Sequence, residues 1–372
     1  MRAYILCCAV LALAGGAAAQ SGDPAPSHAP HPLVRSKAHG RRPSTHHIAP
    51  SRSVRSAVSV SVGPSGGKAG ETDPISLQPI AHRVVDAAGA FDGYMRRTAG
   101  ISAKFTGGDS VARAVEQGSA YEPRQLQEGA IAYAALVAAQ DTAFVAAVRT
   151  VGQDPDDRAR FAARLVDHPE AVLAAGAARR AATRVSRVLA RMGSDMVVAG
   201  AAVKQASYDL QSRPWSKAAV PMLKQRLARI EAQSSAPRPL APSDAAQLIA
   251  GLTAMRSDRG SYEEATAVTP VVARGLALAV LVILGMAGDD QEQQFAPLLA
   301  DDTDAECIKM AELNAFQCLA VARPQYEDIF CLGNHAMIDS GRCIVSAAGM
   351  SDHELWPGEP HAGLPAYRAQ AQ

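Results

Sequence analysis

Residues 306–344 read ECIKMAELNAFQCLAVARPQYEDIFCLGNHAMIDSGRCI, and the four cysteines of this stretch restrict the fold more than any other feature of the chain. Cys307 and Cys318 are eleven residues apart in a segment with helical periodicity. At about 1.5 Å rise per residue they lie about 16 Å from each other, too far for a disulfide, which needs Cα atoms within about 7 Å. Eleven residues is also close to three turns, so both cysteines face one side of the helix. Arg323-Pro324 should end that helix, because proline lacks an N–H and clashes with the preceding turn. A chain folding back there brings Cys318 opposite Cys331 and Cys307 opposite Cys343, since both pairs are centred on the same turn. The expected element is a helical hairpin over 304–343 clasped by two nested bridges. One misfit remains. Cys331 and Cys343 are twelve residues apart, about 120° out of line in a continuous helix, and Ser340-Gly341 is the expected break that lets Cys343 swing back.

A metal site is the rival use. Cys331, His335 and Asp339 stand at i, i+4 and i+8 on one helix face, and Glu327 extends the stripe. In a reducing compartment that pattern suits zinc. Redox chemistry would want C-x-x-C and covalent haem C-x-x-C-H, and the chain has neither. The hairpin resembles the twin-cysteine helical hairpins of coiled-coil–helix domains, although its cysteine intervals are longer than in that family. The resemblance covers 304–343 and implies a scaffold with nested disulfides, without catalysis.

The N-terminus bears on which use applies. MRAYILCCAVLALAGGAAAQ places one basic residue, Arg2, before an apolar stretch from Ala3 to Ala14 and ends it in small residues. This is the layout of a secretory signal over 1–19, cleaved after Ala19, and its core is too short to span a bilayer permanently. Cys7 and Cys8 would leave with it. The remaining four cysteines then enter an oxidising compartment, periplasmic or extracellular, where disulfides are favoured.

Residues 21–70 contain seven Lys or Arg and one acid, Asp23, together with five of the ten histidines and no aromatic residue. Such a segment cannot bury enough apolar surface to offset the entropy of ordering, so 20–76 is expected to be a disordered basic arm. It either scavenges metal or contacts anionic envelope polymers, or it serves as a tether without specific partners.

From about Leu77 to 350, apolar residues recur at three- and four-residue spacing in Ala-rich sequence, which predicts one all-α domain, with a loose tail over 351–372. Helices are expected at 79–99, 109–118, 123–139, 141–151, 155–167, 178–211, 216–234, 243–255, 270–287, 304–322 and 324–340. Asp154-Pro155 and Thr269-Pro270 pair an N-cap residue with proline at the first helical position, and Thr303-Asp-Ala-Glu306 has capping-box spacing. The run GLALAVLVILGMAG at 275–288 carries no charge. It is shorter than the roughly 20 residues of a membrane span, so 270–287 is expected as a helix buried at the centre of an irregular bundle. Ser-Ser-Ala-Pro-Arg-Pro at 234–239 looks like a linker.

Familiar catalytic signatures are missing: there is no H-E-x-x-H, G-x-G-x-x-G or G-x-x-x-x-G-K, and no cofactor motif. The acidic run Asp301-Asp302-Thr303-Asp304 lacks the glycine and distal Glu of an EF-hand and is better explained by helix capping. A whole-chain net charge of +1 and the absence of a basic-aromatic pattern argue against nucleic acid. Polar and aromatic residues set in Ala-rich surroundings mark where a ligand cleft would be: Lys204, Tyr208, Asp209 and Trp215 in VKQASYDLQSRPWSK, and Tyr121 and Arg124 in YEPRQ. Buried ion pairs between helices are the alternative use of such residues. The VKQASYDLQSRPWSK and CLAVARPQYEDIFCLGNHAMIDSGRC segments, with the signal, resemble exported helical proteins of Ala-rich, high-GC proteobacteria, a group without assigned activity. The expectation is an exported helical protein that binds or builds. The other is a hydrolase or metal-dependent enzyme with a site assembled from scattered residues.

Overall fold

The computed structural model describes residues 80–257 and 262–350. The expected signal (1–19), basic arm (20–76) and tail (351–372) lie outside the described residues. Thirteen α-helices follow one another among them. They are α1 His82–Ala99, α2 Gly108–Gly118, α3 Pro123–Ala138, α4 Thr142–Val151, α5 Pro155–Asp167, α6 Ala178–Asp209 and α7 Leu223–Ser234. Then come α8 Pro242–Ser257, α9 Pro270–Ile283, the single turn α10 Glu292–Phe295, α11 Asp302–Val321, α12 Gln325–Cys331 and α13 Ser340–Ala347. No β-strand occurs among the described residues. One antiparallel bridge, between Ala219 and Pro324, ties the start of α7 to the hairpin turn.

Side chains at the helix starts satisfy backbone donors that no turn precedes. Asp154 accepts from the amides of Asp156 and Asp157, Thr269 from Val272, and Glu122 from Arg124 and Gln125. α11 departs from the expected cap. Asp301, not Thr303, caps it and accepts from the Asp304 amide. α7 begins at Leu223 rather than 216. Pro221 forces Val220 into extended backbone, and Val220 N–H donates to Arg323 O instead of entering a helix. α9 ends at Ile283, short of the expected 287. Gly285 takes φ +69°, and the amides of Gly285 and Met286 turn back onto Val282 O and Leu281 O, which closes the helix in a Schellman motif.

The apolar helix α9 is buried from Val271 to Val282, as its composition demands. α3 is buried almost as completely from Leu126 to Ala138, and α1 packs along it. Ala-rich faces allow these helices to approach closely. Among the described residues no single helix is long and apolar enough to cross a membrane.

The C-terminal hairpin forms as its cysteines required. Cys307–Cys343 and Cys318–Cys331 are bonded, with Cα separations of 5.7 and 5.6 Å. The expected break at Ser340-Gly341 does not occur. The chain stays helical from Gln325 to Ala347, and Leu332–Asp339 is π-helical. A π-bulge adds one residue to a turn. Twelve residues then span what eleven span in an ordinary helix, so Cys343 comes back into line with Cys331. The same surplus appears on the opposite face, where the hairpin packs on α6. A Cβ on Gly193 would lie 2.6 Å from Gly341 O, and one on Gly200 would lie 2.9 Å from Gly333 O. The glycines are seven residues apart in α6 and eight apart in the bulged helix. One inserted residue therefore fits the helix to both neighbours at once.

These contacts are backbone against backbone and cannot yield. A Cβ on Gly333 would stand 2.5 Å from the Lys204 amide nitrogen. Gly333→Ala is expected to cost about 1–3 kcal/mol in urea unfolding. Gly251, within α8, has nothing within 4 Å of its would-be Cβ, so Gly251→Ala should instead gain about 0.5–1 kcal/mol.

Candidate functional site

Two places gather the polar and aromatic residues that the sequence singles out. The first is built by the π-helical stretch against the C-terminal part of α6. Lys204 Nζ donates to Asn334 Oδ1 at 3.0 Å and lies 5.2 Å from the centre of the Phe330 ring. Tyr208 and His335 flank Phe330 edge-on, at 6.1 and 6.4 Å between ring centres. His335 Nδ1 and Asp339 Oδ2 are 2.8 Å apart. Burial and the nearby Arg342 guanidinium lower the Lys204 pKa, and Asp339 opposes them. The structure thus joins residues from both sequence-derived sets, Lys204 and Tyr208 from one and His335 and Asp339 from the other. The third member of the metal set is occupied elsewhere. Cys331 is bonded to Cys318 and buried. Among the described residues no three His, Cys, Asp or Glu side chains are grouped to hold a metal. What remains is a polar-aromatic patch with Tyr208 44% exposed. Asp209 pairs back with Gln205. Trp215 sits partly buried against the core in the short 3-10 turn Pro214–Lys217.

The second place is a cavity of about 200 Å³ between α1, the start of α3 and the segment leading into α8. Phe91, Tyr94, Tyr121 and Leu126, themselves buried, back it, and Ala90, Pro239 and Leu240 supply its accessible apolar lining. Tyr94 OH donates to Gly118 O at 2.9 Å, and the Tyr121 hydroxyl lies 3.2 Å from Ser340 Oγ. Burial holds the Tyr121 hydroxyl above the ordinary tyrosine range, so it stays protonated. Arg124, one turn away, is exposed and does not line the cavity. Arg97, Arg238 and Asp244 do, and sequence reasoning missed all three. The one signal available for Arg238 was its place between two prolines in a stretch resembling a linker.

A third cluster concerns stability. Asp304 is 6% exposed, beside Asp301, and its Oδ2 has no hydrogen-bond partner. Burial, with Asp301 next to it, pushes the Asp304 carboxyl up to about 7. The folded carboxyl therefore holds its proton more tightly than the unfolded one, whose pKa is about 3.9. Its contribution to stability is full below about pH 4, falls as pH rises towards 7, and is level above that. The shift corresponds to about 4 kcal/mol at most, partly offset because the first turn of α11 favours an anion. Asp304→Asn is expected to raise stability at pH 8 by about 1–2 kcal/mol and to leave pH 4 nearly unchanged, as read from urea midpoints across that range.

These features define an all-helical protein with a disulfide-clasped C-terminal hairpin, a polar-aromatic patch and a small cavity. Comparison with family models, with curated proteins and with solved structures gave no match.

Proposed function

We propose that the protein is exported to the periplasm or the medium and acts there by binding, as a helical component of the envelope or its surroundings. The observation that carries this is the pair of nested bridges, Cys307–Cys343 and Cys318–Cys331. Two such bridges persist in an oxidising compartment and are rare in a reducing one. The charged, apolar and small-residue layout of 1–19 supports the same address. The preassembled cavity, with its apolar lining and a few convergent charged groups, supports a binding role.

The test is to express the full chain in a Gram-negative bacterium, fractionate the cells, and measure intact mass with and without reduction and alkylation. Cleavage after Ala19, with peptides joined 307–343 and 318–331 in the unreduced digest, is the expected outcome. An uncleaved cytosolic chain with four alkylatable thiols in place of those bridges would overturn the proposal.

A further inference from the structure

The segment 236–241 is held across the helices by its own backbone and side chains. Gln125 grips Arg238 at both ends of its amide. Gln125 Nε2 donates to Arg238 O at 2.6 Å, and Arg238 N–H donates to Gln125 Oε1 at 2.9 Å. Leu240 fills the notch left by Gly89, where an added Cβ would stand 2.4 Å from Leu240 Cδ1. At the far end Arg97 Nη1 donates to Asp244 Oδ2 at 2.6 Å. The roof of the cavity is therefore fixed before any ligand arrives, which removes the ordering cost of binding.

The charges around the cavity do not all cancel locally. Arg97 and Asp244 satisfy each other. Glu122 spends both carboxylate oxygens on the amides of Arg124 and Gln125 at the start of α3. That leaves the Arg238 guanidinium, for which no acceptor is paired among the described residues, although its backbone is clamped on both sides. Burial and the neighbouring Arg97 charge both disfavour its cationic form, the condition that an anion would relieve. A guanidinium carries five donors in a fixed fork suited to a carboxylate. The accessible apolar lining of Ala90, Pro239 and Leu240 suits an apolar body behind that carboxylate. Volume and the two acidic groups set the upper limit. About 200 Å³ is room for about seven waters or one compact molecule, and Asp244 and Glu122 at the rim repel a second negative charge.

We infer that this cavity is a binding site for a small monocarboxylate with a compact apolar body, its carboxylate paired with Arg238 and its body against Ala90, Pro239 and Leu240. The inference rests on the binding role proposed above and names its ligand class.

The experiment uses the full exported chain with both bridges formed, titrated calorimetrically with sodium benzoate, benzyl alcohol and benzylamine. Benzoate is expected to bind saturably and at least about tenfold more tightly than either neutral or cationic analogue. Arg238→Gln should weaken benzoate by about tenfold or more and leave benzyl alcohol unchanged, with Arg238→Lys in between because it keeps the charge and loses the fork. An unchanged circular-dichroism melt shows that each variant is folded. Should Arg238→Gln fail to fold, the selectivity of the wild type among the three probes decides alone. Benzoate binding equal in Arg238→Gln and wild type, or absent from the wild type, overturns the inference. Tighter binding of benzyl alcohol or benzylamine overturns the ligand class and leaves a binding role standing. The binding role itself fails separately, through a cytosolic chain with free thiols.

Discussion

Asp328→Ala is expected to cost the folded state about 3–5 kcal/mol. Asp328 on α12 and Arg226 on α7 form a two-pronged pair, Nη2 to Oδ1 at 2.8 Å and a shorter contact between Nη1 and Oδ2. Their side chains are 1% and 6% exposed. Removing one partner leaves the other charged, buried and unpaired, and that desolvation penalty accounts for most of the cost. Arg226→Ala should be comparably harmful. Replacing both partners by apolar residues of similar volume, Arg226→Met with Asp328→Leu, should restore most of the loss. Urea unfolding of the three variants with disulfides intact checks this. A single variant within about 0.5 kcal/mol of wild type would show that the site relaxes or admits water.

The second large effect is loss of the bridges. Cys318–Cys331 closes a separation of 13 residues and Cys307–Cys343 one of 36. Taken singly, loop-closure entropy assigns them about 3 and about 4 kcal/mol. Because one loop lies inside the other, their joint removal should cost less than the sum. Paired Cys→Ala variants, compared by urea unfolding, measure each term and the shortfall. Order of reduction is a further readout. Each bridge has one buried sulfur, Cys343 at 3% and Cys331 at 1% accessible, but Cys307 is exposed where Cys318 is partly buried. Dilute thiol should therefore open the outer bridge first, visible as one alkylated pair by mass before the second appears.

Much of this architecture is legible in the residues. The all-α class, the centre of the bundle and the nested bridges follow from helical periodicity, an uncharged run and a proline-centred turn. The π-helical stretch was half visible. Twelve residues from Cys331 to Cys343 announce a misfit, but periodicity alone does not say whether a helix stops or widens, and Ser340-Gly341 suggested stopping. Packing decides otherwise, because Gly341 is already committed to contact with Gly193 and must stay in the helix. The short turns at Pro169–Ala174 and between Asp289 and Leu299 were not foreseen, since three to six residues give no period to detect. The cavity was legible only at Tyr121. Arg97 and Asp244 meet across 147 positions, and no local pattern encodes such a meeting. Arg238 stood in a stretch whose prolines suggest a linker, while the grip of Gln125 and Leu240 that turns it into a roof depends on partners far along the chain.

The glycine and cysteine intervals fix how many residues the C-terminal helix carries between its two neighbours. Both helices that flank the C-terminal one count a residue fewer over the matched distance, seven against eight and eleven against twelve. A chain lacking one residue between Gly333 and Gly341 would meet both neighbours with an ordinary helix throughout. The wide turn absorbs the extra residue in place because contacts on either side lock the ends. What the extra residue sets is the azimuth of the side chains inside the turn, and Asn334, His335 and Asp339 are brought together there beside Lys204.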